Sequence, residues 1–264
     1  MQPETPKVML VGAGPGSADL LTVRALRAIE GAGALLYDAL VGEEILALAP
    51  RRCLRIRTGK RSGGASMKQA EINVLMLKLA RRGLKVVRLK GGDPSVFGRS
   101  GEEQDYLEAR GVAVEVVPGI TAASAAAAQF GFPLTHRGEA RRVTFATARV
   151  QDGAVVEGGW TAGADPETTL VLYMARDTAG IVSGRLMAEG RPASTPAIAV
   201  ENAGRPQARL IHATLGSLGA AIEAAAPSGP VLLVIGEVAA RAWDRIAAAQ
   251  LQAGAAAATS ASRS

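Results

Sequence analysis

The sequence predicts an α/β protein built as two α/β domains with a cleft between them, and three observations carry that expectation. Apolar strand-like runs alternate with helix-like segments through the first half. Three of those runs end in glycine-bearing turns, VMLVGAGPG, VVRLKGGDP and VEVVPGIT. A more polar, glycine-containing stretch from about residue 130 to 168 then separates this half from a second set of apolar runs. Alternating strands and helices imply a parallel sheet with helices on its faces. Ligands of such sheets bind outside the carboxyl ends of the strands, so the repeated glycine turns point to one shared site.

Taken in order, VMLV (8–11) is the first strand, and Thr22 is an N-cap ahead of apolar Val23, Leu26 and Ile29, with Gly31 as the stop. ALLYDAL (34–40) is the next strand. Ser66 and Gln69 have the spacing of a capping box before Ile72, Leu75, Met76 and Leu79, which recur at helical intervals. KVVRL (85–89) and VAVEVV (112–117) return as strands. In the second half TLVLYM begins at Thr169, and PAIAVEN and PVLLVIGEV flank a Leu-Ala-rich helical stretch. The expected division is an N-terminal domain over 1–134, a C-terminal domain over 135–250, and a low-complexity, disordered tail over 251–264.

Composition narrows the function classes. At 264 residues and 48% hydrophobic the chain can bury an adequate core, and with 3% aromatic residues it is poorly suited to stacking on single-stranded nucleic acid. The net charge of +6 favours anionic partners in general. Arginine supplies 24 of the 30 basic residues, and its planar fork pairs bidentately with carboxylate or phosphate; codon bias explains the same richness. One cysteine, Cys53, excludes an internal disulfide, and His136 and His212 make no zinc-site spacing. Cys53 reads as a packing thiol on a short strand. No secretory leader or bilayer-length apolar run is evident, so the expectation is a cytoplasmic protein.

GAGPG resembles a dinucleotide fingerprint only superficially. Its glycines fall at Gly12, Gly14 and Gly16, with Ser17 in the third glycine's place and Pro15 removing a donor that a pyrophosphate would use. Asp38, at a strand end some twenty residues on, would otherwise serve as the ribose acid.

The order VGAGPGSADLLT, YDALV, GKRSGG with QAEIN, RLKGGDPSVFGR, VPGITAASA, PLTHR, LYM and IGEV, running from about Lys7 to Val238, resembles the uroporphyrinogen-III C-methyltransferases of the tetrapyrrole methylase group. The resemblance implies transfer of methyl groups from S-adenosyl-L-methionine to C2 and C7 of uroporphyrinogen III, giving precorrin-2, by a homodimer that uses neither nucleic acid nor membrane. It places cofactor contacts on Pro15, Gly91, Gly92, Asp93, Thr121, Ala122, Met174 and Ala203. Arg99 and Arg137, with Lys60 and Arg61 of the TGKRSGG loop, would hold the eight carboxylates of the ring. Glu102 is the first candidate for a base, Asp38 the second, and Arg99 stands beside them in the catalytic group.

Duller roles remain open for each: Asp93 as a turn cap before Pro94, Glu102 as a favourable charge at a helix start with Arg99 as its surface partner, and the 58–64 loop as a solvated basic segment. His136 reads as structural or orienting, for want of a partner carboxylate at recognisable spacing. The chain departs from the family pattern at Ser95, where a large apolar residue is usual, at ATAR (146–149), and after Met174. A sister methyltransferase acting on a later precorrin, a nicotinamide-dependent dehydrogenase and a non-catalytic tetrapyrrole carrier are the competing readings.

Overall fold

The structure is a computed structural model of the chain, and it describes residues 7–59, 67–148, 150–151, 154–155 and 163–243. Contacts divide it into two units, the first comprising residues 1–122 with 204–206 and the second 123–203 with 207–264. The sequence expectation placed the helix that begins at Ala122 in the first domain; the contacts assign all but its first residue to the second unit.

In the first unit five strands, β1 (Lys7–Gly12), β2 (Ala34–Tyr37), β3 (Leu54–Arg57), β4 (Val86–Lys90) and β5 (Ala113–Val117), form a sheet in the order β3-β2-β4-β1-β5. Every pairing in it is parallel. Side chains alternate across the pleat, and two cores result. Val11, Leu35, Val87 and Leu89 face α1 (Val23–Glu30) and α2 (Glu43–Ala47) through Ala25, Ile29 and Ile45. Val8, Leu10, Leu36 and Val86 face α3 (Gln69–Arg81) and α4 (Ser100–Glu108) through Ile72, Met76 and Leu107. Cys53 lies in the first of these cores at 7% exposure, and burial pushes its thiol pKa up, as befits a packing residue.

Local signals account for the helix starts. The Thr22 hydroxyl accepts from Ala25 N at 3.1 Å, as expected of an N-cap. The box at α3 differs from the expectation: Gln69 is already the first helical residue, Lys68 is the N-cap, and Glu71 reaches back to accept from Lys68 N at 2.8 Å. Ser66 lies outside the described residues.

The second unit holds a mixed sheet in the order β11-β10-β12-β9-β6, from β6 (Arg142–Thr147), β9 (Thr168–Tyr173), β10 (Pro196–Glu201), β11 (Arg209–Thr214) and β12 (Val231–Ile235). The short strands β7 (Val150–Gln151) and β8 (Ala154–Val155) pair with each other. Only the β6–β9 pairing in the large sheet is parallel. The edge strands β6 and β11 escape a sequence reading because an edge needs apolar residues at fewer positions: their burial is mixed, whereas β9 and β12 are almost continuously buried. Leu172, Ala199 and Leu233 pack against α6 (Ala179–Ala188) and α7 (Leu218–Ala225) through Val182, Leu186 and Leu218. Helix α5 (Ala122–Phe130) buries Ala123, Ala125 and Ala126. Among the described residues no helix is long and apolar enough to cross a membrane.

Candidate active site

The sheet of the first unit has its topological switch at β4. The helices that follow β1 and β2 pack on one face of the sheet and the helix that follows β4 packs on the other. Connections leaving adjacent strands toward opposite faces open a crevice at the carboxyl ends. At that end the backbones of the β1 and β4 turns join: Gly92 N donates to Gly14 O at 2.7 Å, Gly14 N to Gly92 O at 3.2 Å, and Ala13 N to Lys90 O at 2.8 Å. The β5 turn closes on the same point, because a β-carbon on Gly119 would lie 2.3 Å from Gly92 O. Gly92 has φ +70°, a conformation that glycine adopts at little cost. The glycines therefore first admit one another's backbone and so bring three strand ends to one place.

This convergence gathers Pro15, Gly91, Gly92, Asp93, Thr121 and Ala122 at the carboxyl ends of β1, β4 and β5, with Asp38 at the end of β2. The Asp93 carboxylate ties the turns together: Oδ2 accepts from Gly119 N at 2.9 Å, and Oδ1 accepts from Ser95 N at 2.8 Å and from the Ser95 hydroxyl. Ser95, the departure from the family pattern, thus completes a turn around Asp93 instead of contributing apolar packing. Leu40, 51% exposed, lies against Gly91, and Phe97 is 43% exposed with φ +53°. A large apolar side chain such as Leu40, half exposed beside the side-chain-free turn at Gly91, suits the flat apolar face of a small-molecule ligand. Neither residue was singled out from the sequence; YDALV and SVFGR carried no polar reason to choose them.

Arg99 caps α4 in a left-handed conformation, φ +57°, and pairs bidentately with Glu102 at 2.8 and 2.6 Å. Both side chains are 56% exposed. The guanidinium beside Glu102 holds that carboxyl below the usual carboxylate range, which weakens it as a proton acceptor. The neighbouring Glu103 is the buried one, at 0% exposure, and accepts from Arg88 Nε at 3.2 Å, Lys90 Nζ at 2.8 Å and Gln69 Nε2 at 2.9 Å. Burial pushes the Lys90 pKa down, and the Glu103 charge works against that shift. Arg88 Nη2 reaches on to Asp38 Oδ1 at 2.5 Å. This buried chain of charges was missed in the sequence, although two cations at alternate positions of a strand that must lie mid-sheet demand an internal partner.

In the second unit Met174, at the end of β9, is 54% exposed with φ +55°, and Ala203 lies just beyond β10 at 8% exposure. Arg137 sits in the turn of a tight bridge between His136 and Ala140, beside a cavity of about 540 Å³ that it lines with Thr135 and Arg141. His136 does have a carboxylate neighbour, contrary to expectation. Glu139 Oε1 is 3.5 Å from its Nδ1, and Arg241 binds both residues, so the ring belongs to a structural cluster. Lys60, Arg61 and Arg149 lie outside the described residues.

Residues 7–219 match the Tetrapyrrole (Corrin/Porphyrin) Methylases family. A uroporphyrinogen-III C-methyltransferase of Paracoccus denitrificans is 42% identical, over 90% of this chain and 83% of that protein. An S-adenosyl-L-methionine-dependent uroporphyrinogen III methyltransferase of Arabidopsis thaliana is 46% identical over 88% of this chain, which spans 63% of that relative, and the chain spans 49% of a siroheme synthase of Chromobacterium violaceum. Among solved structures, a uroporphyrin-III C-methyl transferase of Thermus thermophilus complexed with S-adenyl homocysteine superposes with a TM-score of 0.74 at 40% identity, over 88% of this chain and 92% of that one. A cobalt precorrin-4 methyltransferase superposes at 0.80 with 28% identity, over 88% and 95%. By its sequence and its fold, this chain belongs to the tetrapyrrole methylase family.

Proposed function

We propose that the chain transfers two methyl groups from S-adenosylmethionine to C2 and C7 of uroporphyrinogen III, giving precorrin-2 and S-adenosylhomocysteine. The observation that carries the reading is the likeness to the Thermus enzyme, whose complex holds the demethylated cofactor, at 40% identity over nearly the whole of that chain. The bound cofactor supplies an electrophilic methyl group. Gly91, Gly92, Thr121 and Ala122 would line it with backbone, Pro15 and Asp93 would shape the turns that hold it, and Met174 and Ala203 are the two further contacts that the family resemblance implies. The open turn at Gly91 and the exposed Leu40 beside it fit such a ligand.

Arg99 and Arg137, with Lys60 and Arg61, would pair with the carboxylates of the ring. The arrangement favours Asp38 over Glu102 as proton acceptor, because Glu102 is committed to Arg99 through both oxygens, while the two bonds to Asp38 both fall on Oδ1. A homodimer is part of the reading, and light scattering tests it.

The decisive experiment is anaerobic incubation with uroporphyrinogen III and S-adenosylmethionine, followed by product mass. A gain of two methyl groups supports the assignment. The close superposition on the cobalt precorrin-4 methyltransferase favours a second reading, and methylation of a later precorrin with none of uroporphyrinogen III would select it.

A further inference from the structure

Arg88 is a buried arginine in the central strand of the first sheet, 3% exposed, on the face that packs against α3 and α4, where Lys90 and Glu103 are buried with it beside an apolar core. Burying such a charge costs several kcal/mol of desolvation (about that order), and apolar residues of similar volume often stabilise as well or better. A stability role alone is therefore a weak reason for its presence. Each nitrogen is instead assigned: Nε donates to Glu103 at 3.2 Å, Nη1 to Thr58 Oγ1 at 3.1 Å, and Nη2 to Asp38 Oδ1 at 2.5 Å. The Thr58 hydroxyl lies 3.3 Å from the same Asp38 oxygen. Glu103 is in turn held by Lys90 and Gln69. Of Asp38, Arg88, Glu103 and Lys90, only Asp38 reaches the surface, its side chain 34% exposed. Among the described residues no bond is made to its Oδ2.

We propose that Arg88 is a positioning residue for methyl transfer, fixing the Asp38 carboxylate through Oδ1 so that Oδ2 receives the proton the ring gives up. This rests on the reading of Asp38 as the base. In the step itself the bond from the ring carbon to the methyl forms, the carbon–sulfur bond breaks with its electron pair left on sulfur, and the ring loses its positive charge by giving a proton to Oδ2, which passes it to solvent. Glu103 acts one step further back, by holding the guanidinium, while Thr58 touches both the guanidinium and Asp38 Oδ1.

The test is a double-mutant cycle on the full chain, scored on kcat for uroporphyrinogen III. Arg88→Lys keeps the charge and loses the fork; kcat should fall about 100-fold, the size of effect a misplaced catalytic group produces, with KM changed less than about twofold. Asp38→Asn should fall at least as far, and adding Arg88→Lys to it should cost nothing more. A double variant whose loss is the product of the two single losses would mean that Arg88 acts independently of Asp38 and would overturn the inference. Wild-type kcat in Asp38→Asn would remove Asp38 as the base, a different failure with its own signature. Glu103→Gln, at a residue bonded to Arg88 Nε and not to Asp38, supplies the same cycle should the Arg88→Lys protein not fold: an additive Glu103→Gln/Asp38→Asn loss overturns the proposal, and a masked one supports it.

Discussion

Gly12 and Gly119 sit back to back at the strand ends: a β-carbon on Gly12 would lie 2.6 Å from Gly119 Cα, and one on Gly119 would lie 2.8 Å from Gly12 Cα and 2.3 Å from Gly92 O. All of these neighbours are backbone atoms, so no flexible side chain can move aside. Gly119→Ala should destabilise the protein by about 1–3 kcal/mol, the usual scale of overpacking, and weaken S-adenosylhomocysteine binding by displacing the Gly92 turn. Gly101, inside α4 with nothing within 4 Å of the same position, is the control. There alanine should stabilise by up to about 1 kcal/mol through helix propensity. Urea midpoints that move the same way for both variants would contradict the steric account.

The same region shows how far the sequence was readable. Glycine after each of three strands located the end of the sheet that matters, because a backbone requirement restricts residue type at the position itself. The partners were less accessible. Nothing local distinguishes Glu102 from Glu103, yet one is 56% exposed with Arg99 and the other is fully buried between Arg88 and Lys90. That difference arises from which side of α4 faces β4, a tertiary fact, and the weak amphipathicity of SGEEQDYLE conceals it. Leu40 and Phe97 were passed over for the opposite reason, since an apolar residue becomes noteworthy only when the structure leaves it exposed. β1, β2, β4 and β5 of the first sheet and β9, β10 and β12 were legible as apolar runs and β3 only as a short strand beside Cys53, whereas β6 and β11, at the sheet edges, were not.

Arg99 combines an exposed side chain with a left-handed backbone, φ +57°, a conformation that costs a non-glycine residue about 1–2 kcal/mol. Glycine at this position would relieve the strain, less its own entropic cost. Arg99→Gly should accordingly unfold at the same or a slightly higher urea concentration while raising KM for uroporphyrinogen III at least about tenfold, as expected when a charge-assisted carboxylate contact is lost. A fall in stability with unchanged KM would instead make Arg99 the structural partner of Glu102 and remove it from the substrate site.

Acid should act on the second unit through Glu201. Its carboxylate, 5% exposed at the end of β10, accepts from Gly229 N at 2.7 Å and from Arg209 Nε at 3.0 Å. The backbone bond from Gly229 is the main cause that holds its pKa below the ordinary glutamate value, with Arg209 adding to it. A carboxyl whose folded pKa is depressed stabilises the fold above its unfolded pKa, near about 4.3, and loses that contribution as pH falls through the folded value. Glu201→Gln keeps an oxygen for Gly229 but no charge. It should be less stable than the parent near neutrality by about 1.5–3 kcal/mol, the scale of hydrogen bonds to a charged group. As pH is lowered below about 4.3 the two proteins should converge. Urea midpoints measured from neutrality down to strong acid check this: a gap that stays constant across the series would show that the charge on Glu201 contributes nothing, and that only shape and the bond to Gly229 matter there.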